Sequence, residues 1–404
     1  MNDNKRELSA KSAKLEVEGL MKNFDVGTTY PLSSYNKTKK HIYELLDLLS
    51  QCVDSEFKKI IASTAVDFIP RGMFETKRCK TSKKISFILL DIGVLDFFGN
   101  LNCLYTQLLF NEHPYHKIRI TEEQIIEFIW SSALIYCDRN ITDCKRYSIF
   151  TPKYMTSALN DNLKPYSYLF LIGQLLFIIL HELAHISIDS DKKQLEKDSK
   201  QITSTADDIL FELFYEEDKL RNRNLSDDLV SILQNLKRNY SYEKIRNNES
   251  VKRTFENMFR WNIECKADEL AFDSIVLLLE NMFQDAKSIS KSKEEYSSYT
   301  LSTIIIASGM DIGFSCMNLI HECFKHKPEF LVTLQMDIER HPAPYSRRKT
   351  LRNNLEEYVN EEINKFGYKF DEIFEPCVKR IKSGVTPSKQ YFDNIQEVIH
   401  RFTA

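Results

Sequence analysis

Glycine and proline are scarce in this chain, with ten of each among 404 residues. Sandwiches and barrels need many tight turns, and these two residues usually make such turns. Their scarcity therefore favours long helices joined by few turns. The length is sufficient for a large hydrophobic core and for two or three domains.

A strong charge of one sign is also missing. The chain has 55 lysines and arginines against 58 aspartates and glutamates, which gives a formal net charge of -3 at pH 7. This balance provides no global attraction to nucleic acid or to an anionic membrane, so we expect no nucleic-acid partner. Hydrophobic residues make up 43% and charged residues 28% of the chain, as is usual for soluble proteins.

Paired cysteines and a secretion signal are absent as well. The nine cysteines include no CxxC pair, and an odd number without framework spacing indicates reduced thiols and a cytoplasmic location. The first ten residues contain no apolar signal region. The apolar run 168–180 is too short to span a membrane, and the run 301–320 has Asp311 near its middle, where a charge is costly in lipid. We therefore expect buried helices and no membrane span.

The hydrophobic patterns predict an α+β fold that is mainly helical, with a small sheet. Helical periodicity appears at 40–62, at 121–137 after a capping box, and in the tail from 351. Residues typical of strands cluster at 84–100, with shorter candidates at 116–120 and 146–150. The predicted organisation is an N-terminal helical region, a catalytic domain with a charged helical insert at 191–250, and a C-terminal helical tail, at 1–82, 83–352 and 353–404.

The stretch HELAH places two histidines and a glutamate at the end of an apolar run. His181 and His185 lie four residues apart, so on a helix both imidazoles face the same way and can meet one ion. Glu182 lies beside the first histidine, where it can reach a water on that ion without binding the ion itself. This HExxH arrangement is typical of zinc hydrolases. The alternative is a pair of hydrogen-bonded core histidines with a solvated glutamate.

A zinc hydrolase needs a third protein ligand and an open fourth position. The residues after His185 lack the glycine and histidine of the metzincin pattern, so a carboxylate from a second helix is the other solution. Glu264 and Asp268 share one face of a predicted helix, and the small Ala267 permits close approach. We expect Glu264 to bind the metal and Asp268 to accept the second N–H of a liganding histidine. The alternative is an amphipathic helix with acidic surface residues.

A third element, ERHPAPYSRRKTL at 339–351, offers hydrogen-bond donors. His341 is a candidate donor to the anionic oxygen of a tetrahedral transition state, if its loop reaches the cleft. Arg347 has the fork geometry that binds a carboxylate, such as one on a ligand. The alternative is a His-Pro turn followed by a solvated helix start.

The order HELAH, ECKAD, HPAPYSR resembles that of gluzincin zinc metallopeptidases, which follow the pattern HExxH, ExxAD, HPxxxxR. The resemblance covers roughly 167–190, 255–280 and 339–352. It implies a gluzincin-like catalytic domain with Zn²⁺ as cofactor. It also implies that Glu182 is the general base and that His181, His185 and Glu264 are the metal ligands. Asp268 would be the carboxylate behind one ligand. His341 would be the transition-state donor, and Arg347 its companion in the same loop.

The resulting expectation is a zinc-dependent endopeptidase of an intracellular protein or peptide substrate. Many members of the resembled family span membranes, and this chain is not expected to. Soluble bacterial phage-exclusion peptidases of the Lit type are similar in class, which would imply a role in regulation or phage defence, with a possible regulatory partner protein. Two alternatives are a catalytically restrained zinc-domain sensor and a purely structural helical scaffold.

Two segments have predicted roles at the cleft. A strand within 84–98 is expected to line it and to pair with an extended substrate. The insert 191–250 is too long for a simple helix connection. We expect it either to cover the cleft as a lid or to pack elsewhere and only add stability.

Overall fold

The computed structural model describes residues 36–69, 76–80, 86–110, 121, 124–125, 128–129, 161–190, 208–221, 233–234, 237–247, 261–289, 292–325, 344–366 and 381. Within these residues the fold is α+β and mainly helical, as predicted. The labelled elements in chain order are α1 Asn36–Cys52, α2 Ser55–Ser63, β1 Thr64–Ile69, β2 Thr76–Lys80, β3 Ser86–Asp91, α3 Ile92–Leu109, α4 Lys164–Ser190, α5 Glu217–Arg221, α6 Tyr242–Asn247, α7 Trp261–Ile289, α8 Lys293–Lys325 and α9 Pro344–Phe366.

Local signals in the sequence explain several helix starts. Asp54 separates α1 from α2, and its side chain accepts hydrogen bonds from two backbone N–H groups in the first turn of α2. The capping box at 121 is present: the backbone N–H of Thr121 donates to Gln124 Oε1, and the N–H of Gln124 donates to Thr121 Oγ1. The periodic tail from 351 forms most of α9.

Among the described residues, the sheet has three strands in the order β1-β3-β2, with β1 parallel and β2 antiparallel to β3. The predicted strand at 84–100 is correct only for its first half, because α3 begins at Ile92. A continuous apolar run suits a buried strand and a buried helix equally, and periodicity alone does not separate them. The other two strand candidates, 116–120 and 146–150, lie outside the described residues.

Two strands lie in the region predicted to be a helical N-terminal part. β1 and β2 both precede residue 82, yet both pair with β3, which follows it. The sheet therefore joins residues on either side of that predicted boundary. The short runs TAVDFI and TKRCK were too brief to stand out beside the longer helical pattern.

The central position of β3 contradicts the expectation that a strand within 84–98 pairs with substrate. Both edges of β3 are already occupied by other strands. The outer side of β1 is covered by α1: the Tyr43 hydroxyl donates to the Val66 carbonyl and accepts from the Val66 N–H, each at 2.9 Å. Lys39 Nζ also lies 2.8 Å from Asp67 Oδ1. In the described part of the chain, β2 pairs with β3 alone.

The core is built around α4, which packs against α3, α7 and α8. The crossing of α4 and α8 is very close. A Cβ added to Gly173 of α4 would lie 2.1 Å from the Ile306 carbonyl oxygen, and a Cβ added to Gly309 of α8 would lie 2.9 Å from the Phe170 carbonyl oxygen. Glycine at these two positions is therefore what lets the backbones approach.

Two helical stretches, Lys164–Asp189 and Glu295–Met317, are long and apolar enough to cross a membrane. The helix containing the run 168–180 is thus longer than the sequence suggested. Of their most apolar windows, 67% and 83% are buried within the protein. That degree of burial is what core helices of a globular domain show, and it makes length and composition weak evidence for a span.

Within the predicted insert 191–250, the structure describes 208–221, 233–234 and 237–247. Helical residues occur at 208–215 and in α5 and α6. Ile209, Leu210 and Leu213 are buried, although the main hydrophobic core of the described residues does not include them. The lid therefore stays a prediction.

Candidate metal centre

The C-terminal half of α4 brings His181 and His185 to one face of the helix. Both side chains are buried, at 8% and 9% exposure. Their Nε2 atoms lie 3.1 Å apart, and their rings stand at 90° to each other. The two imidazoles therefore converge through the same ring nitrogen, as two ligands of one ion would.

Glu264 of α7 completes the cluster. Its Oε2 lies 3.4 Å from His181 Nε2, and its Oε1 lies 3.3 Å from His185 Nε2. Ala267 and Ala271, on the same helix, are fully buried, and α7 packs directly on α4. The small residues therefore permit the approach that the sequence predicted for this pair of helices.

The donor atoms of these three residues lie close enough together to hold one ion. Atoms about 2.0–2.1 Å from a tetrahedral zinc ion lie about 3.3–3.4 Å from one another. The two Nε2 atoms are 3.1 Å apart, and each lies 3.3–3.4 Å from a different oxygen of the Glu264 carboxylate. Two imidazoles and one carboxylate suit zinc and neighbouring transition metals better than they suit magnesium or calcium. The residues present thus fit a divalent transition metal.

Asp268 lies behind the first of these histidines. Its Oδ1 is 2.8 Å from His181 Nδ1, although the ring N–H is not aligned on the oxygen. Burial lowers the pKa of His181, but the neighbouring carboxylates of Asp268 and Glu264 outweigh burial and raise it. Asp268 therefore stands where a carboxylate would orient a liganding imidazole.

Arg347 of α9 binds Asp268 through both arms of its fork. Its Nε donates to Oδ2 at 2.7 Å and its Nη2 donates to Oδ1 at 2.6 Å. Burial raises the pKa of Asp268, but the charge and hydrogen bonds of Arg347 outweigh it and lower the pKa below its usual range. The fork that was predicted for a ligand carboxylate is thus directed at a carboxylate of the chain. Arg347 is also 9% exposed, not part of a solvated helix start.

The two other predicted site residues are Glu182 and His341. Glu182 lies on α4 beside His181 and is partly buried. His341 lies outside the described residues, and its role as a donor stays a prediction.

The structure adds residues that the sequence analysis did not assign to the site. Phe314 of α8 lies under the Arg347 guanidinium, 4.8 Å from Cζ to the ring centroid. Phe177, one turn before His181, packs edge-on against Phe314 with centroids 5.5 Å apart. Asp311, considered in the sequence only as a charge unsuited to a membrane, binds Arg348. No motif marks these positions, because their roles depend on the packing of α8.

Cys265 follows the predicted ligand Glu264 in the chain, and its side chain is a neutral thiol, not a thiolate. Burial, and then the negative charge of Asp268, raise its pKa to about 11. Thiolate is the form that binds metals and attacks electrophiles. Cys265 is therefore a neutral thiol at neutral pH in the metal-free chain.

Comparisons of this chain with models of protein families, with curated proteins and with solved structures find no match.

Proposed function

We propose that this protein is a zinc-dependent peptidase whose metal is held by His181, His185 and Glu264. The observation that supports the proposal most strongly is the convergence of three side chains at the junction of two helices far apart in sequence. The Nε2 atoms of His181 and His185 are 3.1 Å apart, and each lies 3.3–3.4 Å from one oxygen of the Glu264 carboxylate. Asp268, aimed at the far nitrogen of His181, is the partner that a liganding histidine needs.

The residues have distinct roles in the proposed reaction. When bound, the metal activates water and polarises the scissile carbonyl. Glu182 accepts the proton of the attacking water and delivers it to the leaving amine, whose C–N bond breaks. Asp268 and Arg347 keep His181 oriented and transfer no proton. His341 is proposed as the donor to the anionic oxygen of the transition state.

We place an extended substrate along β2. In the described residues this strand pairs with β3 only. Arg78 of β2 lies 3.2 Å from Asp189, one turn beyond His185 on α4. An added peptide strand would therefore pair with a strand that contacts the helix bearing two of the metal ligands. Hydrogen exchange of residues 76–80 in the Glu182→Gln protein should slow when an uncleaved peptide binds; unchanged exchange would remove β2 from the site.

The decisive experiment combines metal analysis with a proteolysis assay. Purified protein should contain one zinc per chain and should cleave unfolded casein in a reaction that a chelator stops. The matched variant Glu182→Gln should keep the metal and the fold but lose roughly 10²–10⁴ in rate, because an amide cannot accept a proton at neutral pH. An active Glu182→Gln protein would refute the mechanism.

The same experiment separates the two alternative functions. A protein that binds zinc but does not cleave casein, even when a peptide partner is added, would fit the catalytically restrained sensor. A protein that binds no metal at all would leave only the structural scaffold.

A further inference from the structure

The first turn of α9 presents two consecutive arginines to two different helices. Arg347 binds Asp268 of α7 through the two hydrogen bonds described above. Arg348 binds Asp311 of α8, with Nε to Oδ1 at 2.8 Å and Nη2 to Oδ2 at 3.1 Å. Each pair joins a planar fork to a carboxylate at two points, so each fixes the orientation of its guanidinium as well as its position.

Asp311 is a fixed point of the interface between α8 and α9. It is 3% exposed, and the Arg348 side chain beside it is 14% exposed. A carboxylate buried to this degree must remain paired. Arg352, one turn later on α9, lies 3.6 Å from Asp311 Oδ2 and also bonds Glu356 at 3.0 Å. The start of α9 therefore has little freedom to slide or rotate on α8.

The same segment of α8 also contacts Arg347, which binds Asp268 beside the metal site. Phe314, three residues after Asp311, supports the Arg347 guanidinium from below. Phe177 contacts both rings: its centroid lies 5.5 Å from that of Phe314 and 6.2 Å from that of His181. A shift of α9 would thus change the Arg347–Asp268 pair, and through it the contact at His181 Nδ1.

We propose that Asp311 and Arg348 are positioning residues of the metal centre. They hold the first turn of α9 so that Arg347 reaches Asp268, which in turn orients His181. This inference depends on the metal-binding part of the proposed function, not on peptide hydrolysis. The competing explanation is that the Asp311–Arg348 pair only ties α9 to α8.

The principal test reads the His181 ring directly in the metal-free, full-length chain. In ¹⁵N-histidine NMR spectra of the parent, His181 should show one dominant tautomer, with its proton on Nδ1 toward Asp268. Arg348→Gln should mix the tautomers, and Arg348→Lys, which keeps the charge but loses the fork, should be intermediate. Leu355→Ala is the matched control, because Leu355 lies two turns along the same helix and is buried in the core. It should destabilise α9 and leave the His181 signals unchanged.

Zinc affinity provides a second readout that does not require activity. Partners behind a metal ligand typically contribute 10–100-fold in affinity, and we expect about tenfold weaker binding in Arg348→Gln. The visible spectrum of the Co²⁺-loaded variant should shift, while Leu355→Ala should bind within about twofold of the parent. If Arg348→Gln does not fold, Asp311→Glu replaces it, since it keeps the charge and moves the carboxylate by one methylene.

The inference is overturned if the His181 signals of Arg348→Gln match those of the parent. It is overturned equally if Leu355→Ala changes those signals and the zinc affinity to the same extent. A parent protein that binds no metal would refute the proposed function. The NMR comparison in the metal-free chain would then still test whether Asp311 and Arg348 orient the His181 ring.

Discussion

Four glycines in helices provide a graded test of how closely the core is packed. Each is replaced by alanine, and the four changes share the same gain in helix propensity, about 1 kcal/mol. They differ in what the new methyl group meets. It would lie 2.1 Å from a carbonyl oxygen at Gly173, 2.9 Å at Gly309 and 3.8 Å from a Phe98 ring carbon at Gly313, with nothing within 4 Å at Gly99.

The clash at Gly173 sets the expected magnitude. Ordinary contact begins at 3.4 Å, so α4 and α8 would have to separate by the difference between 3.4 and 2.1 Å, about 1.3 Å. Overpacking of a core typically costs about 1–3 kcal/mol. At the upper end of that range, about 2–3 kcal/mol, the shared gain of about 1 kcal/mol leaves Gly173→Ala about 1–2 kcal/mol less stable than the parent. Gly99→Ala should gain about 1 kcal/mol, so the two variants should differ by about 2–3 kcal/mol.

The assay is the free energy of unfolding in urea, supported by the thermal midpoint. The expected order of stability is Gly173→Ala lowest, then Gly309→Ala, then the parent, with Gly313→Ala and Gly99→Ala highest. Because Gly173 lies two turns before His181 on α4, its variant should also bind zinc more weakly than the others. If Gly173→Ala is as stable as Gly99→Ala, the close crossing of α4 and α8 is wrong.

Three further predictions concern the site and the insert. Glu264→Ala should greatly weaken zinc binding, because two histidines alone leave the ion under-coordinated; unchanged metal content would exclude Glu264 as a ligand. Asp268 has a lowered pKa, so its stabilising pair with Arg347 is fully present above the ordinary value of 3.8 and is lost as the pH falls through the folded value. The unfolding free energy of metal-free protein should therefore decrease below about pH 4, and Asp268→Asn should flatten that decrease; an equal slope in both proteins would contradict it. Replacing 195–250 by a short glycine–serine linker should speed hydrolysis of a small quenched peptide if the insert is a lid, and a folded, zinc-containing variant with no gain would exclude the lid.

The local part of the candidate site was predictable from sequence. His181 and His185 face the same way because a helix places residues four apart on one side. The same rule places Glu264 and Asp268 together, and Ala267 between them predicts a close neighbour. The capping box at Thr121 is likewise a local signal, since both of its hydrogen bonds lie within four residues. Such patterns depend on backbone geometry alone.

Other features followed only from the tertiary structure. Residues 92–100 resemble a strand in composition, and their burial against α4 as part of α3 determined that they are helical. Arg347 was predicted to orient a ligand, but the position of α9 directs it to Asp268. Asp311 and Arg348 are 37 residues apart in the chain, and no spacing rule connects them. The sequence by itself determined which side chains share a helix face, because that is set within a few residues. Only the packing of α4, α7, α8 and α9 decided which faces meet, because that depends on the shape and charge of surfaces brought together from distant parts of the chain.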